Sequence, residues 1–190
     1  MRLFVALLPP RAALAEVERL VAPHRDDWPG LRWTDPGLWH LTLTFMGEVP
    51  DGLRPDLEVR LARAASRRPP MTLAFAGAGA FPSRGRARVF WAGVNGPRPA
   101  LTRLAESVEA AARRAGASQG EARPYHPHLT LARTRARTGG EDVRPLVEAL
   151  EAFEGTPWRA EEIHLMRSML GRPVRYDSLA SWPLRGPNTA

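Results

Sequence analysis

Two short segments carry the same arrangement of reactive side chains: His40-Leu41-Thr42-Leu43 and His128-Leu129-Thr130-Leu131. In an extended strand an imidazole and a hydroxyl two positions apart share one face, while the intervening leucines anchor the other face in a core. Two such strands brought together gather two imidazoles and two hydroxyls around one point. That is a cage for a phosphate, in which the hydroxyls and a protonated imidazole donate hydrogen bonds to its oxygens. Displacement at phosphorus needs a base for the attacking oxygen and an acid for the departing one, on opposite sides because the reaction is roughly in line. Histidine suits both tasks near neutral pH, and each contributes on the order of 10²–10⁴-fold. Neither a covalent nucleophile nor a metal is demanded.

The elements around these segments repeat. Residues 2–8 read as a buried strand, and Pro9-Pro10 opens a helix to residue 22 with Leu14, Val17 and Val21 at helical spacing. Residues 39–46 alternate strictly, which predicts Leu41, Leu43 and Phe45 on one face and His40, Thr42, Thr44 and Met46 on the other. A helix over 53–65, a strand over 71–78 and a loop over 81–86 follow. The second half runs in the same order, with a strand over 87–94 and a helix over 99–115. The His128 strand over 126–132 and a helix over 143–153 come next, then strands over 162–168 and 174–184. From Leu3 to His40 is 37 residues and from Val89 to His128 is 39. A duplication within one bilobal domain over 1–190 is expected, with halves near 1–86 and 87–190, and the two His strands facing one cleft.

The 190-residue chain can bury a core without staples, and it has no cysteine, which removes disulfides, thiol nucleophiles and cysteine-bound zinc. The apolar opening ends at Pro9-Pro10, too short for a signal peptide or a membrane span, so a cytoplasmic protein without membrane attachment is expected. A net charge of +7, all 27 basic residues being arginine, favours an anionic partner such as nucleic acid, though codon composition would give the same excess.

Other residues are read more plainly. The alternating Arg84, Arg86 and Arg88 would grip RNA phosphates or line a solvated hairpin. Phe81, Trp91 and Tyr125 would stack on a base or fill a core, and His126 would contact substrate or mark a strand entrance. No carboxylate or third histidine sits near the His126-Pro127-His128 pair in sequence, so no metal and no cofactor are expected. His164 is expected to face solvent.

The pattern resembles the two-histidine phosphoesterase superfamily, in its branch of RNA 2′,3′-cyclic phosphodiesterases, also called 2′-5′ RNA ligases. The resemblance runs over nearly the whole chain: the opening RLFVAL, then HLTLTFMGEV, GAFPSRGRARVFWAGV, HPHLTLAR, and EIHLMRSML with the later Tyr176. It implies an α+β fold of two antiparallel sheets forming a concave cleft, with helices outside. It also implies hydrolysis of RNA 2′,3′-cyclic phosphate ends to 2′-phosphomonoesters, with 2′-5′ ligation as the reverse reaction. His40 would be the proton donor and His128 the proton acceptor; Thr42 and Thr130 would bind the phosphate. Arg133 would help hold it, although strict alternation puts Arg133 opposite His128, so a bend is required. The partner implied is RNA with cyclic ends, acted on by a monomer. Two other readings stay open: an RNA-end binding module without catalysis, and a sister phosphodiesterase for small cyclic nucleotides.

Overall fold

The computed structural model describes residues 1–118, 124–135, 139–171 and 173–187. Its first half holds β1 (Arg2–Leu7), α1 (Arg11–Val21), β2 (Leu31–Trp33), β3 (Leu41–Glu48), α2 (Arg54–Ser66) and β4 (Met71–Phe81). The second holds β5 (Val89–Asn95), α3 (Arg98–Arg114), β6 (His128–Thr134), α4 (Arg144–Leu150), β7 (Trp158–Ala160), β8 (Glu162–Met169) and β9 (Arg175–Pro183). The expected strands and helices are present within a few residues at each end. The three-residue β2 and β7 are additions that no periodicity could announce, being shorter than two repeats of a strand pattern.

Local chemistry explains the borders. Pro10, extended, leads into α1, which buries Ala13, Val17 and Val21 on one stripe. α3 buries Leu101, Leu104, Ala105, Val108, Ala111 and Ala112, and Gly116 at φ +72° ends its run in the left-handed region that glycine enters without strain.

All pairings are antiparallel, in the order β7-β4-β5-β6-β3-β1-β8-β9, with β2 added to β6. The two His-bearing strands are neighbours in this curled sheet, yet they meet at a single residue pair, Leu41 with Leu129. On each side of that pair β3 and β6 separate. β2 and Thr34, whose N–H donates to Leu131 O at 2.8 Å, occupy one wedge. α3, packed on β3, borders the other. The strands also cross between the sequence halves: β4 pairs with β5 and β7, while β8 and β9 extend from β1.

β3 departs from the strict alternation its sequence suggests. Ala6 pairs with Thr42 but Val5 with Thr44, so Leu43 is an extra residue, a β-bulge that reverses which side chains face in. Thr44, expected on the cleft face, is buried at 6% exposure; Phe45, expected in the core, is 51% exposed. β6 has the same defect at the matching place: Trp91 pairs with Thr130 and Phe90 with Ala132, skipping Leu131. The bulge turns Arg133 out, supplying the bend that its position requires.

The inward-turned Thr44 hydroxyl donates to Glu109 of α3, whose carboxylate also accepts from Ser118 Oγ at 3.0 Å and lies 3.9 Å from Arg113 Nε. This knot ties β3 to the helix in the wedge. Thr44→Val keeps the shape but leaves a part-buried carboxylate oxygen without its donor. We expect a loss of about 1–3 kcal/mol in unfolding free energy, read as a lower urea midpoint at unchanged slope; an unmoved midpoint would mean the knot carries no stability.

Candidate active site

The register at Leu41 and Leu129 decides how the two motifs meet. In an antiparallel pair centred on these residues, His40 lies beside Thr130 and Thr42 beside His128. Each imidazole therefore has the other strand's threonine as neighbour. One hollow of about 480 Å³ brings His40, Thr42, Thr130 and Arg133 together with Tyr176 and Phe45. A second, about 970 Å³, brings His128 and His126 together with Thr42, Phe45, Phe81 and Tyr125. Thr42 and Phe45 line both, so the hollows form one cleft over the seam between β3 and β6. All five residues singled out for this chemistry, His40, His128, Thr42, Thr130 and Arg133, line it.

The two imidazoles are held alike. Nδ1 of His40 is 2.7 Å from Leu38 O, and Nδ1 of His128 is 2.8 Å from His126 O, each the carbonyl two residues earlier. A carbonyl only accepts, so Nδ1 carries the proton in both rings and Nε2 is left for the cleft. Aromatic rings fix the ring planes. His40 lies against Phe4 (4.7 Å between centroids) and edge-on to Tyr176 (5.3 Å). His128 lies edge-on to Phe81 (5.0 Å) and tilted against Trp91 (6.2 Å). Trp91 fits across β4 because residue 79 is glycine: a Cβ there would collide with its six-membered ring.

Burial pushes both imidazoles below their ordinary value, against the opposing effect of the carbonyl bonds. Nearby positive charge adds to this: His128 lowers His40 further, and His126 and Arg133 do the same to His128. A charge on His128 therefore disfavours protonation of His40.

Several cleft residues are silent or ambiguous in the sequence. Tyr125 donates to Thr42 O at 3.2 Å, tying the approach to β6 onto β3, and burial raises its phenol above the ordinary range. Phe45 stands exposed between the two hollows with Arg2 over its ring at 5.0 Å. Its signal is its place five residues after His40, where Arg133 stands five after His128, but only the bulges make those positions equivalent. His126 lies 5.0 Å from Trp91 and 5.2 Å from Phe81, in the cleft wall. Arg86 and Arg88 line a separate hollow that shares Phe81 with the cleft. His164 is directed at neighbours rather than at open solvent, 3.2 Å from both Glu162 and Ser178.

The profile of the 2′-5′ RNA ligase superfamily matches residues 9–172. A curated RNA 2′,3′-cyclic phosphodiesterase of Thermus thermophilus is 35% identical, over 98% of this chain and 91% of that protein. One of Geobacillus stearothermophilus is 32% identical over 96% of this chain, which spans only 57% of that relative's length. Among solved structures, a Thermus thermophilus protein superposes with TM-score 0.75 at 32% identity, covering 98% of this chain and 99% of the other. Escherichia coli LigT complexed with 3′-AMP superposes with TM-score 0.75 at 29% identity, covering 96% and 97%. No helix among the described residues is long and apolar enough to cross a membrane. With the fold, the paired motifs and these matches in agreement, the chain belongs to the 2′-5′ RNA ligase superfamily.

Proposed function

We propose that this protein hydrolyses RNA 2′,3′-cyclic phosphate ends to 2′-phosphomonoesters, without a metal, as a cytoplasmic monomer, and that a 5′-hydroxyl replacing water in the same site gives 2′-5′ ligation. The observation that carries the reading is the single antiparallel meeting of Leu41 with Leu129, which gives each imidazole the opposite motif's threonine as neighbour. Thr42 and Thr130 then donate to the non-bridging oxygens from two sides, and Arg133 matches their negative charge. Neutral His128 accepts a proton from water through Nε2 as the water's oxygen bonds to phosphorus. The bond from phosphorus to the 3′-oxygen breaks, and protonated His40 delivers its Nε2 proton to that oxygen. With a 5′-hydroxyl in place of water, the same proton transfers in the same direction join its oxygen to phosphorus in a 2′-5′ linkage as the bond to the 3′-oxygen breaks. Phe45 and the other cleft aromatics offer faces for a nucleobase.

The direct test incubates RNA bearing a 2′,3′-cyclic phosphate with the protein in EDTA and resolves the two monophosphate products. Clean 2′-phosphate is expected. Release of 3′-phosphate would reverse the leaving group, and activity that vanishes in EDTA and returns with a divalent ion would end the metal-free reading. Binding of the RNA without any conversion would instead support a binding module.

The pH profile follows from the depressed imidazoles. Only the singly protonated pair is competent, and both groups in the free protein titrate below an ordinary histidine. So kcat/KM peaks on the acid side of about pH 6.5 and falls as pH rises through neutrality, when the acid is lost. The bound phosphate's negative charge favours imidazolium, so kcat holds to higher pH than kcat/KM. A kcat/KM that keeps climbing from neutrality into the alkaline range would remove this pair from the proton transfers.

A further inference from the structure

Beside the cleft, α2 and α3 pack together and enclose a groove of about 450 Å³ lined mostly by arginine. Arg60, Arg63, Arg67 and Arg68 border it from the α2 side and Arg103 and Arg114 from α3, with Glu106 the one carboxylate among the lining residues. The spacing is helical: 60 and 63 share one stripe of α2, continued by Arg67 at its C-cap, and 103, 107, 110 and 114 one stripe of α3. Small residues, Ala64, Ala110 and Ala111, form the floor between the arginine rows.

We propose that this groove holds the phosphodiester backbone of the RNA strand whose cyclic end is bound in the cleft. The inference rests on the proposed function above and gives its substrate a polymeric body. The groove has its place beside the cleft because α3 is a wall of both. Going round the helix, Leu101, Leu104 and Val108 face the core, Ala105, Glu109 and Arg113 the cleft, and Arg103, Ser107, Ala110 and Arg114 the groove. Glu106, on the crest between the last two faces, lines both hollows.

Most of the charges in the groove are free to meet an anion. Arg60 is paired with Asp56 at 2.6 Å, and Arg68 donates to Ser107 Oγ at 3.0 and 2.6 Å. Among the described residues, Arg63, Arg67, Arg103 and Arg114 have no carboxylate within ion-pair distance, and all four are exposed. Guanidinium groups gathered on two facing helices repel one another, and a polyanion laid between the rows relieves that repulsion while releasing its own counterions. Arginine of purely compositional origin would be expected to scatter. From Arg103 to Arg114 the helix rises about 16 Å, long enough for several consecutive phosphates of one strand. A mononucleotide held in the cleft has no phosphates to place there.

The test compares a 2′,3′-cyclic mononucleotide with a cyclic-ended RNA of about ten nucleotides, using the wild-type chain and the variant R63E/R67E/R103E/R114E. The wild type is expected to show a lower KM for the oligomer, and the variant to raise that KM by about 10–10²-fold while leaving mononucleotide kinetics unchanged. The log–log salt slope of oligomer binding should flatten by about 0.7 for each phosphate no longer neutralised. The milder R63Q/R114Q variant, on exposed helix positions, gives the same direction if charge reversal disturbs folding. Unchanged oligomer KM in both variants, or equal losses on both substrates, would overturn the groove. Should the wild type convert neither substrate, the catalytic reading falls. Anisotropy with the same oligomer ending in a plain 3′-hydroxyl then still decides the groove, by whether the variants lose its binding.

Discussion

Replacing His128 by alanine is expected to lower kcat/KM for a cyclic phosphate end by about 10²–10⁴-fold. In the neutral ring, Nδ1 holds its proton on His126 O, so Nε2 is the lone pair offered to the cleft, and alanine removes it. On the proposed roles, what remains is a phosphate cage of two hydroxyls and a guanidinium, which should bind the ground state but activate no water. KM should change far less than kcat, because the threonines and Arg133 are untouched. The deficit should also shrink as pH rises, since hydroxide can replace the water that needs a base, and a small added imidazole should restore part of the rate in the space vacated. The ring lies against Phe81 and Trp91, so the thermal midpoint of the variant is needed beside its rate. A folded His128→Ala with unimpaired turnover would remove this residue from the chemistry.

His40→Ala is expected to cost a similar factor, about 10²–10⁴, yet to respond to a different remedy. If His40 delivers the proton to the departing 3′-oxygen, its loss matters in proportion to the basicity of that oxygen. A phosphodiester with a nitrophenolate leaving group, which departs without protonation, should be turned over by His40→Ala at a rate close to that of the wild type. The same substrate should remain slow with His128→Ala, which still lacks its base. Crossed results would exchange the two roles; equal recovery in both variants would show that the motifs do not divide the work. The pseudo-symmetric holding of the rings makes this experiment necessary, because Leu38 O and His126 O present the two imidazoles almost identically.

The repeated histidine, leucine and threonine pattern is enough to anticipate that these side chains share one cleft, because a strand period of two and a buried leucine face dictate the rest locally. It cannot foresee Thr44 and Phe45 exchanging faces. Both residues obey β-propensity wherever they point, and the bulge at Leu43 arises from pairing with β1, thirty-odd residues away in the chain. Arg133 shows the same limit from the other side: the family resemblance suggests it, alternation opposes it, and only the bulge at Leu131 reconciles the two. Glu109 is silent for a different reason. A glutamate on the polar side of an amphipathic helix looks solvated until the strand it packs against offers a hydroxyl. The charged groove is harder still, since its two arginine rows come from helices that the sequence separates by more than thirty residues and only α2–α3 packing unites.

The crossing of strands between the two sequence halves bears on how the protein is made. During synthesis the first half can pair β1 with β3, but β4 has neither β5 nor β7 to join, and β1 still lacks β8 on its other edge. Neither half of the chain can complete its part of the sheet on the ribosome alone. Tyr176, which meets the His40 ring at 5.3 Å, belongs to β9, so the setting of the first motif is finished only by a strand made long after it. The two halves of the chain are thus mutual hostages in assembly, and a nascent chain interrupted after β7 would carry both histidines and still lack the strand that sets the first.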